Sequence, residues 1–425
     1  MKIALQFSNA HNGALFRTMK IEIERVKGFE DYLPPESLKR AEVMRIVEKW
    51  FRLHGFVPIE TPIVEFDELM RGDAIEEDEA VSDRFRLKDR AGRNLGLRYE
   101  FTFQLSRILK QNPNLKLPFR RYQIGPVFRD EPVGKGRFRQ FTQCDIDIVG
   151  DSTIDSDVEV ISVVSDVLKE LKIDCEIQVN NRKLLSSIIE SVQITDAKRV
   201  MRELDKLGKI GEDLVKLNLK KYADSNQILT LFKLIEKPLE FFVENAFEGA
   251  KELESFMDRC KKYALKPKLN IMMIRGLGYY TGNIFEIVSS NSKGSIAGGG
   301  RYDNSVGKLL GKDIPAVGIS FGLERVTELA KVKAKSIPSV IVISLEQDSG
   351  SIKLCKLLRE AGISCLMSSG KVGRALEYAN SLSIPYVIFF GEEEKAKGKY
   401  KLKNMVSGEE KMVSEKQMVK VLRTA

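Results

Sequence analysis

Three arginines widely separated in the chain, Arg129, Arg275 and Arg325, have side chains suited to demanding chemistry. A guanidinium stays charged at any ordinary pH, and its planar fork pairs bidentately with phosphate. Brought together, three of them could clamp a triphosphate from several sides. Taken singly, each could equally be a solvated surface residue. Other polar groups accompany them beyond what packing needs. Glu100 and Thr102 share one face of an expected strand over Leu97–Thr102. Glu131, Arg137, Arg139, Gln143 and Asp147 gather with Arg129 in the segment from Arg121 to Val149. Tyr279 and Tyr280 follow Arg275 across a glycine-rich turn; by default they would be core aromatics with satisfied hydroxyls. The sequence shows neither a nucleophile–base pair nor the GxxxxGKS or GxxxxGKT pattern of a P-loop. The reaction class that remains is one in which the protein positions reactants and stabilises charge, as in phosphoryl or nucleotidyl transfer.

The segment Arg121–Val149 must hold several of these groups, and it reads as two strands joined by a basic, glycine-containing loop. Tyr122, Ile124 and Phe128 alternate with Gln123, Gly125 and Arg129; Cys144, Ile146 and Ile148 alternate with Gln143, Asp145 and Asp147. Period-two alternation is the signature of a strand with two unlike faces. Such a hairpin could hold a polyphosphate at its cationic end and a small polar ligand at its acidic end, or it could simply have one wet face.

Upstream, Ser37–Leu53 is an expected amphipathic helix with the apolar stripe Val43, Ile46, Val47, Trp50 and Phe51. His54 is expected to help that helix end. Phe56–Ile63 reads as a strand, and Pro58 and Pro62 confine it to a sheet edge or interface. Residues 184–266 are rich in Leu, Lys and Glu with helical periodicity and read as an inserted helical subdomain. Beta character is expected again at 271–288, 295–303 and 316–330, the last turning into helix near Gly322–Glu324. GGGR at 298–301 is either a flexible turn or a place where backbone approaches a ligand closely. A charged linker over 331–338 leads to alternating apolar strands and helices, the pattern of a parallel α/β sheet.

With 425 residues, 43% of them hydrophobic, the chain can bury a large core. Five cysteines without CxxC spacing and only two histidines argue against a zinc site and for reduced thiols in a cytosolic protein. No apolar run is long enough for a membrane span. Residues 1–18 contain Asn9, His11 and Asn12 where a secretion signal needs apolar residues, and Met19 is a plausible alternative start. Net charge is +9, and residues 331–425, with 17 basic and 10 acidic residues, carry +7 of it. A basic terminal domain on a less charged body suits a polyanion such as nucleic acid, or simply a soluble basic surface.

Together these motifs resemble the class II aminoacyl-tRNA synthetases, specifically the histidyl-tRNA synthetase family, archaeal-like, over roughly residues 20–425. KGFEDYLP (27–34) resembles the family's amino-terminal signature, and the helix with GFVPIETPIVE (55–65) resembles motif 1, which builds a dimer interface. FRDE with GRFRQFTQCDIDIVG resembles motif 2, VGISFGLERV (317–326) motif 3, and RGLGYYTG (275–282) the histidine-specific element. The resemblance implies an α+β catalytic domain built on an antiparallel sheet over 19–183 and 267–330. It also implies a helical insertion over 184–266 and an α/β anticodon-binding domain over 339–425.

The implied activity is ATP-dependent formation of histidyl-adenylate and transfer of histidine to tRNA-His, by a cytoplasmic homodimer with no membrane attachment. ATP would bring Mg2+ on its phosphates, with no protein metal site. By resemblance, Arg129 would hold the α-phosphate and the histidine carboxylate, and Phe141 would stack on adenine with Glu131 near its amino group. Arg137 would reach the terminal phosphates, Arg325 the triphosphate from the far side, and Arg275 the α-phosphate. Glu100, Thr102 and Gln143 would take the α-ammonium; Asp147 and Tyr280, with Tyr279 beside them, would read the imidazole. Two departures stand out. Gly278 occupies a position where the family usually has Asp, and Asp147 one where many bacterial members have Glu. The alternative reading is the family's catalytically silent paralogue, a regulatory subunit of ATP phosphoribosyltransferase. That paralogue lacks the anticodon domain and tends to lose the phosphate-binding arginines, both of which this chain keeps.

Overall fold

The computed structural model describes residues 24–71, 83–134, 136–275, 279–292, 294–334 and 337–423. Residues 1–18 and Gly278, singled out above, lie outside them.

In chain order the first strands are β1 (Val57–Pro58), β2 (Val64–Phe66), β3 (Arg86–Lys88) and β4 (Asn94–Leu97). The hairpin follows as β5 (Phe119–Phe128) and β6 (Gln140–Val149), then β7 (Glu176–Asn181), β8 (Pro267–Leu269), β9 (Asn283–Val288), β10 (Ser295–Arg301) and β11 (Ala316–Gly322). Eight of these form one sheet in the order β1-β5-β6-β11-β10-β9-β7-β8, while β2, β4 and β3 make a small antiparallel sheet. The large sheet is antiparallel throughout its middle; only its edge strands β1 and β8 pair in parallel. Only Val57–Pro58 of the expected strand 56–63 pairs, and it does so at the sheet edge, where a missing proline N–H costs no ladder bond.

Alternation along β6 sends Cys144, Ile146 and Ile148 into the core, each fully buried. Helix Glu36–Leu53, through Val43, Ile46, Val47 and Phe51, and helix Ile154–Glu170, through Val160, Val163, Val164 and Val167, share that core. His54 caps the first helix, its Nδ1 and Nε2 each 3.0 Å from a carboxylate of the second, Glu159 and Asp166.

The opposite face of the sheet is covered by two less regular segments. One is the expected strand over Leu97–Thr102, which the structure corrects. Pairing in β4 stops at Leu97, and Glu100 and Thr102 lie on irregular chain leading into helix Phe103–Gln111. The cause is Arg98, buried and donating to the carbonyls of Pro126 (2.7 Å) and Thr61 (2.8 Å), which pins the chain across the end of β5. The other comprises 271–275 and 279–282; of the strand structure expected over 271–288, only β9 forms.

The stretch after β7 is helical as expected, with seven helices from Arg182 to Lys262. Its apolar residues, among them Leu184, Val200, Leu231 and Phe256, belong to the same core cluster as the large sheet. Beyond residue 338 come β12 (Val340–Ser344), β13 (Cys365–Ser368), β14 (Tyr386–Phe390), β15 (Tyr400–Asn404) and β16 (Glu410–Val413), ordered β13-β12-β14-β15-β16. The first three are the expected parallel strands; β15 and β16 add an antiparallel edge. Those two carry lysines and glutamates on their exposed side, which blurs their apolar pattern in the sequence.

Candidate active site

The polar face of the hairpin becomes the floor of a cavity because strand register aligns it with small residues. Asp147 lies opposite Arg121 on β5 and Gly318 on β11; Asp145 opposite Gln123 and Ser320; Gln143 opposite Gly125 and Gly322. Farther across, Gly318 faces Gly300 and Ser320 faces Gly298 on β10. The row is bulky and charged on one side and bare on the other, so a pocket of about 210 Å3 opens over the sheet.

Of the histidine-binding candidates, Glu100, Thr102, Gln143, Asp147, Tyr279 and Tyr280 line that cavity. So do Arg129, Phe141, Arg275 and Arg325, from four separate elements. Glu131 and Arg137 do not line it. Glu131 lies 3.8 Å from Arg129 and 3.9 Å from Arg137, and Arg137 is largely exposed, so this pair stands outside the lining.

At the acidic end, Arg121 is completely buried and holds Asp147 by an ion pair of 2.5 Å, while the Tyr302 hydroxyl donates to the other Asp147 oxygen. Burial raises the Asp147 carboxyl and Arg121 opposes that shift. Tyr279 donates to Glu100 Oε2 at 3.3 Å, and Thr102 lies beside the Tyr279 phenol. Tyr279 packs against Tyr280 and Tyr302, with ring centroids 4.8 and 5.6 Å away. Burial, then the neighbouring Asp145 carboxylate, push Glu100 up to about 8. Burial likewise pushes Asp145 up to about 7. Three carboxyls thus crowd one water-poor pocket, an environment that favours a cationic ligand.

At the cationic end, the Arg129 guanidinium lies 4.2 Å from the Tyr99 ring and 5.2 Å from the Phe141 ring, sandwiched by aromatic faces. Arg275 pairs with Glu286 of β9 at 2.6 Å and lies over Gly298. A Cβ built on Gly298 would stand 2.0 Å from the Arg275 Nη1, so the triple glycine is strand, not turn, and its bareness gives the guanidinium room. Gly318 serves Asp147 in the same way, its Cβ position lying 2.0 Å from Oδ1. Arg325 donates to the Ser295 carbonyl; burial and then the neighbouring Arg137 lower its pKa. Guanidinium groups pressed together in this manner are complementary to a polyanion.

Arg121, Asp145, Tyr302 and Glu286 were absent from the sequence-derived site. Arg121 carries a signal in retrospect, since it continues the polar alternation of β5 with Gln123; Glu286, between Ile284 and Val288 on its own face, and Tyr302 carry none. Motif-level residues beside the pocket are anchored too. Glu324 accepts from the Thr142 N–H at 2.9 Å and pairs with Arg40 at 3.0 Å, tying Phe141 and Arg325 to the first helix.

A family model described as histidyl-tRNA synthetase matches residues 28–326. One described as anticodon binding domain matches residues 339–425. Histidine–tRNA ligase 1 of Bacillus cereus is 36% identical over 413 residues, covering 92% of this chain and 95% of that protein. Among solved structures, a histidyl-tRNA synthetase from Nostoc superposes with a TM-score of 0.83 at 27% identity, covering 95% of this chain and all of the other. A structure from Bacillus halodurans, titled ATP phosphoribosyltransferase regulatory subunit/histidyl-tRNA synthetase, gives a TM-score of 0.70 at 19% identity, covering 84% and 96%. At that identity the likeness is one of fold.

Proposed function

This chain belongs to the histidyl-tRNA synthetase family, and on that premise we infer that it is a histidine–tRNA ligase. It activates histidine with ATP to histidyl-adenylate and transfers the histidyl group to the 3′ end of tRNA-His. The observation that carries this reading is the meeting of Arg129, Arg275 and Arg325 with Glu100 and Asp147 around one cavity.

In the first step a histidine carboxylate oxygen attacks the α-phosphorus and pyrophosphate leaves. Arg129, lining the same cavity, holds the carboxylate against the α-phosphate. Arg275, fixed by Glu286, neutralises charge developing on the α-phosphate oxygens, which is worth most in a water-poor site. Arg325 faces the triphosphate from the opposite side, and Arg137, exposed in the free chain, folds onto its terminal phosphates. Phe141 stacks on adenine with Glu131 near the exocyclic amine. Magnesium is taken to arrive with ATP, bound through phosphate oxygens. In the second step a ribose hydroxyl at the tRNA 3′ end attacks the histidyl carbonyl and AMP leaves.

Selectivity rests on the acidic end. A neutral imidazole offers one N–H donor and one acceptor. Asp147, kept in place by Arg121 and Tyr302, accepts that N–H, and Tyr280 supplies the hydroxyl for the other nitrogen. Any other amino acid would leave these buried groups unpaired, which rejects it strongly. The α-ammonium goes to Glu100 and Gln143, with Thr102 acting through Tyr279.

The regions 19–183 with 267–330, 184–266 and 339–425 serve as catalytic body, acceptor-arm insertion and anticodon reader. The net basic charge of the last supports tRNA contact. A homodimer is supported by apolar side chains left exposed around β1 and β2, including Val57, Ile63, Val64 and Phe66. No helix among the described residues is long and apolar enough to cross a membrane; a cytoplasmic location follows from the family's work on tRNA. The deciding experiment is amino-acid-dependent exchange of pyrophosphate into ATP with all twenty amino acids. Exchange driven by histidine alone is expected. Exchange with another amino acid, or none, overturns the ligase reading and, in the second case, favours the regulatory paralogue.

A further inference from the structure

The turn 279–282, which carries Tyr279 and Tyr280 to the cavity, is held from two sides. On the sheet side the Thr281 N–H donates to the Arg301 carbonyl at 2.8 Å, and the Thr281 hydroxyl accepts from the Asp303 N–H at 3.1 Å. Arg301 is itself locked to Asp157 at 2.8 Å, and both are buried. On the other side the Gly282 carbonyl accepts from the Arg182 N–H at 2.9 Å. Arg182 begins the helix Arg182–Ser191 and so leads into the helical region.

That second side depends on Asn181, which is fully buried. Its Oδ1 caps the helix by accepting from the Lys183 N–H at 2.9 Å. Its NH2 is thereby left to donate, to Asn283 Oδ1 at 2.9 Å and to Glu252 Oε1 at 3.1 Å. Glu252 lies on Ala250–Lys262, the last helix of the helical region, and its other oxygen accepts from Lys183 Nζ at 2.7 Å. The same carboxylate sits against the turn, since a Cβ on Gly282 would stand 2.9 Å from Oε1. A Cβ on Gly249, which precedes that helix, would stand 2.6 Å from Asn181 Oδ1. Two bare positions therefore let the helix seat its carboxylate between Asn181 and the turn. None of the described residues of 184–266 lines the cavity, so this region can act on histidine only through such contacts.

Resting on the histidine-ligase reading, we propose that Glu252 is a positioning residue for histidine activation. From the last helix of the helical region it fixes Asn181 and abuts Gly282, and so sets where Tyr279 and Tyr280 stand at the cavity, without touching substrate. The buried Asn181 amide loses an acceptor if the carboxylate is removed, and the turn loses the surface it rests against. The helical region thereby biases the fit of histidine. Arg129, Phe141 and Arg325, at the ATP end, hang on other elements and are left alone.

The test measures histidine-dependent pyrophosphate exchange in the full chain, for wild type, Glu252→Ala, Glu252→Gln, Gly282→Ala and the double variant Glu252→Ala, Gly282→Ala. Glu252→Ala should raise the KM for histidine about threefold to thirtyfold, the scale of residues coupled through a contiguous network, while the KM for ATP stays within about twofold. Glu252→Gln keeps an oxygen for Asn181 and gives up only a partly exposed ion pair, so its histidine KM should stay within about twofold of wild type. Gly282→Ala should raise the histidine KM as Glu252→Ala does, because its methyl group displaces the carboxylate. Removing that carboxylate makes room for the methyl group, so the double variant should be no worse than Glu252→Ala. Equal rises in both KM values, a fall in kcat alone, no rescue by Gln, or additive losses in the double variant overturns the proposal. Should Glu252→Ala fail to fold, Gly282→Ala decides: a shift confined to histidine supports the proposal and its absence overturns it. A wild-type chain that shows no histidine-dependent exchange would instead refute the ligase reading itself, so the two failures are told apart.

Discussion

The Arg275 guanidinium fills the space that a side chain at position 298 would need: a Cβ on Gly298 would lie 2.0 Å from Nη1 and 2.4 Å from Cζ of Arg275. The strand opposite supplies Glu286, in register with Gly298 and 2.6 Å from the same guanidinium. One bare residue and one carboxylate thus hold an arginine over the centre of the sheet. Gly298→Ala is expected to lower histidine-dependent pyrophosphate exchange on the order of a hundredfold, the scale of losing one preorganised charge donor. Histidine binding, measured by calorimetry without ATP, should change only a few-fold. Arg275→Ala should behave alike; near-normal exchange in either variant would remove Arg275 from the chemistry.

Asp147 depends on Arg121 for its charge. Arg121→Met leaves a buried, uncompensated carboxylate, and breaking such a pair costs roughly 3–5 kcal/mol. A clear drop in melting temperature is therefore expected near neutral pH. The double variant Arg121→Met, Asp147→Asn should recover most of that stability yet remain poor with histidine. Recovery of exchange along with stability would show that Asp147 serves only packing.

Glu100 makes stability depend on pH in a direction that can be stated. Its carboxyl sits at about 8 in the folded chain against an ordinary 4.5. Between those values the unfolded chain gives up its proton and the folded chain keeps it, so the fold loses stability as pH rises. Glu100→Gln removes this effect. The variant should melt above wild type at about pH 8, with the gap closing toward about pH 4, while its histidine KM rises sharply. A gap that is constant across this range would contradict the burial argument.

Deleting residues 332–425 should separate the two half-reactions. Adenylate formation uses only residues of the large sheet and its covering segments. Charging of tRNA also draws on a second, basic contact, and losing one of two linked binding modules costs on the order of a hundredfold or more. Charging assays and pyrophosphate exchange on the same preparation check this; equal losses would argue against a separate tRNA-reading unit.

The alternation of Gln143, Asp145 and Asp147 against Cys144, Ile146 and Ile148 was readable directly from the chain, because a strand's period of two sorts side chains onto opposite faces whatever surrounds it. The helix over 36–53, the helical character of 184–266 and the switch at Gly322 were legible for the same kind of local reason. Glu100 was expected on a strand, and the structure puts it on irregular chain that lines the cavity. The force that pulls its segment off β4, the bonds from Arg98 to Pro126 and Thr61, joins residues 28 and 37 positions apart. Pairings such as Arg121 with Asp147, Tyr302 with Asp147 and Glu286 with Arg275 depend on strand register and on which loop folds over which strand. Local periodicity thus identified which residues could face a ligand. Which of them meet was settled by long-range contacts whose energies no short window of sequence contains.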